Sequence, residues 1–275
     1  GMVLHFAQTD KGHMDFGIEE GIYADLAEDA LSSPACTPEQ AKELRKWLDA
    51  ITYYAMHKDF VPPREAGFAW GSANMMAQVQ CRACRIAALM PNHPNGKVWR
   101  ETLAKAVTLY VEDQVNEAGV TLECPHYGGM AITMPAMGLA ALASCGNVDL
   151  SRAQKRLQAA GRMRLGTLLP PDVRGGFRSQ CPEGDGYYDV EATFATLAGF
   201  LQKPDPELAR NLAWGVKECN NALGGHSDSA FKLFPVGAEP LEPKITSAHY
   251  TGHGFVMRNG FPRPDEAYVQ VYAGA

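Results

Sequence analysis

The chain has 275 residues, a formal net charge of −6 and 46% hydrophobic residues. This composition excludes a disordered or low-complexity chain and provides for one large core, or one core with part of another. The acidic balance and the lack of a Lys/Arg run argue against nucleic acid as a partner. The most apolar stretch, residues 131–145, is too short to span a membrane and contains Pro135, and no secretory signal peptide is visible.

The cysteines predict neither a disulfide framework nor a metal site. Their number is seven, which is odd, and their spacing has no paired pattern. Cys81 and Cys84 form a CxxC within a predicted helix, with no second pair nearby, so buried free thiols are expected. His249 and His253 are four residues apart but lie close to a predicted strand, so zinc is not expected there. We therefore expect no metal and no cofactor.

Helical periodicity dominates the chain as far as about residue 225. Thr37, Pro38 and Gln40 form a capping box that begins a helix, and Leu44 to Ala55 continue it with one apolar face. The same spacing predicts helices at about residues 74–90, 99–110, 131–145, 150–160, 190–201 and 206–219. Seven apolar positions are expected to be buried: Trp47, Leu48, Trp99, Leu103, Phe194, Leu197 and Leu212.

The succession of helices without strands predicts a mainly α fold built of antiparallel helical hairpins. The pattern changes after residue 225, where a proline-rich linker over residues 226–248 is expected. Residues 255–258 and 267–272 then alternate in polarity, which predicts two strands joined through residues 259–265. The edge of the last strand is expected to be unpaired, so we expect it to fold back on the helices or to pair with another copy in a homodimer through the C-terminal strands.

Four segments carry a resemblance to a known family. They are Trp70-Gly-Ser-Ala-Asn74, Glu123-Cys-Pro-His-Tyr127, Glu183-Gly-Asp-Gly-Tyr-Tyr188 and the strand that ends at Tyr272-Ala-Gly274. In this order they resemble the heparinase II/III-like polysaccharide lyases, including the related alginate lyases. The resemblance implies an incomplete α/α toroid at residues 1–225 and the beginning of an antiparallel β-sandwich at residues 249–275. It also implies that the chain is an incomplete fragment, cut inside the sandwich.

The resemblance further implies cleavage of a uronic-acid-containing glycan by β-elimination, with an acidic polysaccharide or oligosaccharide as the partner. Tyr127 matches the catalytic tyrosine, and His126 stands beside it as a second catalytic candidate. Asn74 matches the asparagine that binds the uronate carboxylate, but Met75 follows it where many members have histidine. The other expected substrate-binding residues are Trp70, Glu123, Arg178, Asp185 and Tyr187.

Several of these residues have simpler interpretations, and other functions stay open. Asn74 suits a helix N-cap, Glu123 suits a helix start, and Asp185 suits a glycine-rich turn. A glycoside hydrolase would use paired carboxylates from among Asp185, Asp189 and Glu123. A non-catalytic glycan-binding protein would be consistent with Met75. The resemblance implies a periplasmic or secreted protein, whereas the free cysteines favour a reducing compartment, so localisation stays open.

Overall fold

The computed structural model describes residues 26–56, 73–181, 191–219 and 239–273. In these ranges the protein is mainly helical, with eight helices followed by a small three-stranded antiparallel sheet. The helices are α1 (26–32), α2 (Pro38–Met56), α3 (Ala73–Ala88), α4 (Gly96–Gln114), α5 (Pro125–Ser144), α6 (Ser151–Gly166), α7 (Glu191–Leu201) and α8 (Pro206–Glu218). None of them is long and apolar enough to cross a membrane.

The start of α2 confirms the capping box. The backbone N–H of Thr37 donates to Gln40 Oε1 at 2.9 Å, and the N–H of Gln40 donates to Thr37 Oγ1 at 3.2 Å. These reciprocal bonds satisfy two donors at the helix start, which have no partner within the helix. Helix α3 begins at Ala73, one residue before Asn74. The Asn74 side chain lies outside the described part of the chain.

The predicted core is largely confirmed. Leu48, Trp99, Leu103, Phe194, Leu197 and Leu212 are all buried, with exposures of 5% or less. Trp47 is the exception, since its side chain is only partly buried. It precedes Leu48 in the same helix and lies at the margin of the apolar stripe.

The chain divides into two compact units: residues 1–107 with 138–150, and residues 108–137 with 151–275. In the first unit, Gly138 of α5 packs on the CxxC helix α3. A Cβ at residue 138 would lie 3.0 Å from Cys81 Cα and 3.2 Å from Cys84 Cβ. Both thiols are buried, and burial raises the pKa of the Cys84 thiol well above its ordinary value. These cysteines are therefore packing residues rather than reactive thiols.

In the second unit, α6, α7 and α8 pack on one another. Asp205 caps α8, accepting a hydrogen bond from the N–H of Leu208 at 3.1 Å, and Pro206 occupies the first turn. The buried hydroxyl of Thr133 on α5 donates to the Thr193 hydroxyl on α7 at 3.2 Å, which pairs two buried polar groups. Residues 239–247 come after α8 in the described part of the chain. The N–H of Leu241 donates to the Arg210 carbonyl of α8 at 3.0 Å.

The sheet also belongs to the second unit and has the order β1-β2-β3. Its strands are β1 (Ala248–Tyr250), β2 (Gly254–Asn259) and β3 (Ala267–Tyr272), each antiparallel to its neighbour. The two predicted strands are confirmed, and β1 was missed because three residues are too few to show alternation. Val256 and Arg258 are buried, whereas the opposite face is apolar but exposed at Phe255, Met257, Val269 and Val271.

Candidate functional site

A cavity of about 400 Å³ lies within the second unit. It is lined by residues 120–125, by Met163, Arg164 and Thr167 at the end of α6, by Gln180 and Cys181, and by Gly252, His253, Gln270 and Tyr272 of the sheet region. We call it the loop–sheet cavity. Its volume is in the lower part of the range of about 300–1,000 Å³ that is usual for small-molecule sites.

One wall of the cavity is the loop that leads into α5, and a turn at Asn116 fixes it. Asn116 Oδ1 accepts from the N–H groups of Ala118 and Val120 at 2.9 and 3.0 Å. Its Nδ2 donates to the Thr251 carbonyl at 2.7 Å, which ties the turn to the sheet region. Gly119 has φ +85°, and a Cβ there would lie 2.2 Å from the Ala159 carbonyl oxygen. Only glycine fits this position, because the turn packs directly on the backbone of α6.

A second wall is a buried polar network at the end of α6. Arg164 is 3% exposed, and its Nη1 donates to the Pro125 carbonyl at 2.7 Å and to Gln180 Oε1. The Gln180 amide donates to Thr167 Oγ1 at 2.9 Å and to the Arg164 carbonyl at 3.2 Å. The network holds the residue that begins α5, because the guanidinium bonds directly to the backbone of Pro125.

The third wall is a cluster of side chains on the sheet. Gln270 Nε2 donates to the Tyr272 hydroxyl oxygen at 2.6 Å and lies 2.9 Å from His253 Nε2. The Tyr268 hydroxyl donates to Gln270 Oε1 and is 3.3 Å from the Thr167 carbonyl, which fixes the orientation of the amide. Burial raises the pKa of Tyr268, so this phenol stays protonated as a donor at neutral pH. Because an amide nitrogen only donates, His253 Nε2 is the acceptor in this arrangement.

The expected catalytic residues lie next to this cavity in the chain. His126 and Tyr127 are in the first turn of α5, directly after Cys124 and Pro125, which line it. Their rings meet edge to face with centroids 4.9 Å apart, and both are partly buried. Among the described residues, neither ring is part of the cavity lining. Glu123, expected to bind substrate, does line the cavity.

Arg178 lies elsewhere, in the interior between the helices and the sheet of the second unit. Its side chain has 0% exposure and is paired with Glu266 at 2.7 Å, and its Nη1 also donates to the Leu169 carbonyl at 3.0 Å. Its guanidinium lies 5.0 Å from the ring centroid of Phe261. A side chain enclosed in this way has no surface on which to meet a glycan, so we assign Arg178 a structural role and leave it out of the proposed ligand set.

Trp70, Asp185 and Tyr187 lie outside the described residues, as does Asp189, and so does the side chain of Asn74. Within the described ranges, no group of three or more His, Cys, Asp or Glu side chains could hold a metal ion. His249 stacks on Phe255 with centroids 4.5 Å apart, whereas His253 contacts Gln270, so the two histidines have different partners.

Sequence reasoning missed the contribution of the sheet to the cavity. The alternation in β3 places Tyr268, Gln270 and Tyr272 on one face, but it does not indicate that this face meets the end of α6.

Comparison with known proteins adds no assignment: no protein-family model, no curated protein and no solved structure matches the chain.

Proposed function

We propose that this chain is a heparinase II/III-like polysaccharide lyase, or part of one, that cleaves a uronic-acid-containing glycan by β-elimination. The observation that carries the proposal is the segment from Glu123 to Tyr127. It resembles the catalytic segment of that family, and its first residues line the loop–sheet cavity, directly before the helix turn that bears Tyr127.

The architecture is consistent with the same proposal. Successive helices pack on each other, as α2 and α3 do in the first unit and α7 and α8 in the second. We propose that they are hairpins of an incomplete α/α toroid. We propose further that the three strands begin an antiparallel β-sandwich. The exposed apolar face at Phe255, Met257, Val269 and Val271 supports this, because the inner face of a sandwich sheet is apolar.

The proposed reaction breaks the bond between C4 of a uronate and its O4 while a C4–C5 double bond forms. A base takes the C5 proton, negative charge develops on the carboxylate, and an acid returns a proton to the departing O4. We assign Tyr127 to proton transfer, with His126 in ring contact as the second candidate. Glu123, three residues before His126 in the chain, lines the loop–sheet cavity. The resemblance implies Asn74 as the carboxylate donor, since an amide N–H stabilises the developing charge.

Product chemistry tests the proposal directly. The protein is incubated with alginate, heparin-type glycans and other uronate polysaccharides, and ultraviolet absorbance reports the conjugated double bond. Appearance of the chromophore supports a lyase. New reducing ends without the chromophore would instead identify a glycoside hydrolase. Binding with no new ends would identify either a non-catalytic binding protein or an incomplete lyase. A matched sample of the Tyr127→Phe variant controls for contaminating activity.

A further inference from the structure

The seven cysteines of the chain fall into three groups by their surroundings. The first group is buried and consists of Cys81, Cys84 and Cys219. The second group is partly exposed, and each sulfur donates to a backbone carbonyl, Cys36 at 3.7 Å and Cys145 at 3.1 Å. The third group, Cys124 and Cys181, is also partly exposed, but within the described part of the chain neither sulfur has a hydrogen bond. These two thiols are therefore available for chemistry.

Both available thiols line the loop–sheet cavity, although they come from separate segments of the second unit. Cys124 lies in the loop that leads into α5, and Cys181 directly follows Gln180. Arg164 Nη1 donates to the Pro125 carbonyl at 2.7 Å and to Gln180 Oε1. One guanidinium nitrogen therefore binds a residue next to each cysteine, and it holds the two thiol-bearing segments at the same cavity.

The backbone around each of these thiols is fixed by hydrogen bonds. The Cys124 carbonyl accepts from the N–H of Gly128 at 2.7 Å, in the first turn of α5. Just before Cys181, the N–H of Leu169 donates to the Ser179 carbonyl at 2.8 Å. Because both segments are held, a thiol that has reacted at the cavity keeps the second thiol in the same cavity, and the next step becomes intramolecular.

A metal centre explains this pair less well than redox chemistry does. A structural zinc site takes four protein ligands, and a catalytic zinc site takes three. Among the residues that the structure describes, no group of three or more His, Cys, Asp or Glu side chains could hold a metal ion. Two thiols at one cavity are instead the set that a reversible disulfide requires.

We propose that Cys124 and Cys181 form a reactive dithiol, which a low-molecular-weight disulfide oxidises to a disulfide across the loop–sheet cavity. The thiolate of one cysteine attacks the small disulfide, whose S–S bond breaks, and one small thiol departs with a proton. The second thiolate attacks the protein sulfur of this mixed disulfide, the Cys124–Cys181 bond forms, and the second small thiol departs with a proton. Two electrons and two protons thus pass from the dithiol to the small disulfide. The inference does not depend on the lyase proposal or on its substrate.

Equilibration with glutathione tests the dithiol. The reduced protein is incubated with mixtures of reduced and oxidised glutathione, the remaining thiols are alkylated under denaturing conditions, and the intact mass is measured. We expect the oxidised protein to carry two fewer alkyl groups than the reduced protein, because two thiols have become one disulfide. Peptide mapping with chymotrypsin, which cleaves after Tyr127 and so separates Cys124 from Cys145, should show a peptide with Cys124 joined to one with Cys181.

Serine variants separate this pair from the other cysteines. Cys124→Ser and Cys181→Ser should each abolish the link and leave a single glutathione adduct on the remaining thiol of the pair. Cys145→Ser is the matched control, because Cys145 is also partly exposed but donates to a carbonyl, and this variant should form the link as the unaltered protein does. Thermal melting shows whether each variant is folded.

The peptide map of the unaltered protein decides the matter even where a variant does not fold. A link between Cys124 and Cys181 supports the dithiol. Lasting glutathione adducts on both cysteines, a link through any other cysteine, or no reaction at any glutathione ratio overturns it.

Discussion

Arg178 and Glu266 form an ion pair of 2.7 Å at a place where neither side chain has any exposed surface. Arg258, also fully buried, has its Nη2 4.0 Å from the same carboxylate oxygen, so one glutamate faces two guanidinium groups. Both cations lie near the Phe261 ring, at 5.0 and 4.8 Å from its centroid. This cluster joins the loop after α6 to the sheet region across 88 residues of sequence.

We expect Glu266→Gln to destabilise the protein by about 3–5 kcal/mol, since it leaves two buried guanidinium groups without their shared counter-charge. Burial already lowers the pKa of Arg258, while Glu266 raises it. Urea unfolding followed by circular dichroism measures the change. The adjacent Asp265→Asn is the control. Its pair with Arg263, at 3.3 Å, is exposed and should contribute less than about 1 kcal/mol. Equal losses in the two variants would contradict the assignment of a buried ionic cluster.

Gly166 provides a second test of the contact between helix α6 and the sheet region. A Cβ at this position would lie 1.8 Å from the Tyr250 hydroxyl oxygen and 3.0 Å from its Cζ. We expect Gly166→Ala to lower the free energy of unfolding by about 1–3 kcal/mol through overpacking. Tyr250→Phe in the same chain should restore part of the loss, because it removes the nearer atom.

Gly161→Ala in the same helix is the control for this substitution. Its nearest neighbour would be a Leu212 methyl at 3.4 Å, which is ordinary contact. Alanine has the better helix propensity, so this variant should be as stable as the unaltered protein or more so. A loss at residue 161 as large as that at residue 166 would indicate that helix α6 tolerates no alanine, and would refute the steric explanation.

Local features of the fold could be predicted from the sequence, whereas long-range pairings could not. The Thr37 capping box and the alternation in β2 and β3 depend on neighbouring residues, so their patterns are visible in the chain. The partnership of Arg178 with Glu266 depends on which loops meet after folding, and arginines in loops are usually solvated. The same limit applies to the cavity, where Arg164, Gln180 and His253 come from three separate segments.

Alkaline pH should destabilise the protein through its buried phenols. Burial raises the pKa values of Tyr110, Tyr250 and Tyr268, so each loses its proton at higher pH in the folded than in the unfolded chain. The stability that they contribute is complete below the unfolded value of about 10 and is lost as pH rises towards the folded values. Urea midpoints should therefore fall above that pH. Tyr110→Phe should make the fall of the urea midpoint with pH less steep. A midpoint independent of pH would contradict the destabilisation by buried phenols.

The two faces of the sheet should respond differently to the same substitution. Val256 is 1% exposed and Val271 is 43% exposed, although both lie within strands and are paired, Val256 with Gln270 and Val271 with Phe255. We expect Val256→Ala to cost about 2 kcal/mol, because it removes two buried methyl groups and leaves a cavity. Val271→Ala should change the free energy of unfolding by less than about 0.5 kcal/mol. A larger loss at Val271 would indicate that the exposed apolar face is covered in solution.

Tyr127→Phe should separate catalysis from binding if the chain is a lyase. The substitution removes only the hydroxyl, so substrate contacts through the ring persist while proton transfer is lost. We expect kcat to fall by at least about 100-fold with little change in KM, since the lost interaction acts in the transition state. His126→Gln is the companion variant. His126 contacts the Tyr127 ring edge to face, and a smaller fall in kcat would assign it an orienting role. Unchanged turnover in Tyr127→Phe would exclude this residue as acid or base and leave the neighbouring His126 as the remaining candidate on α5.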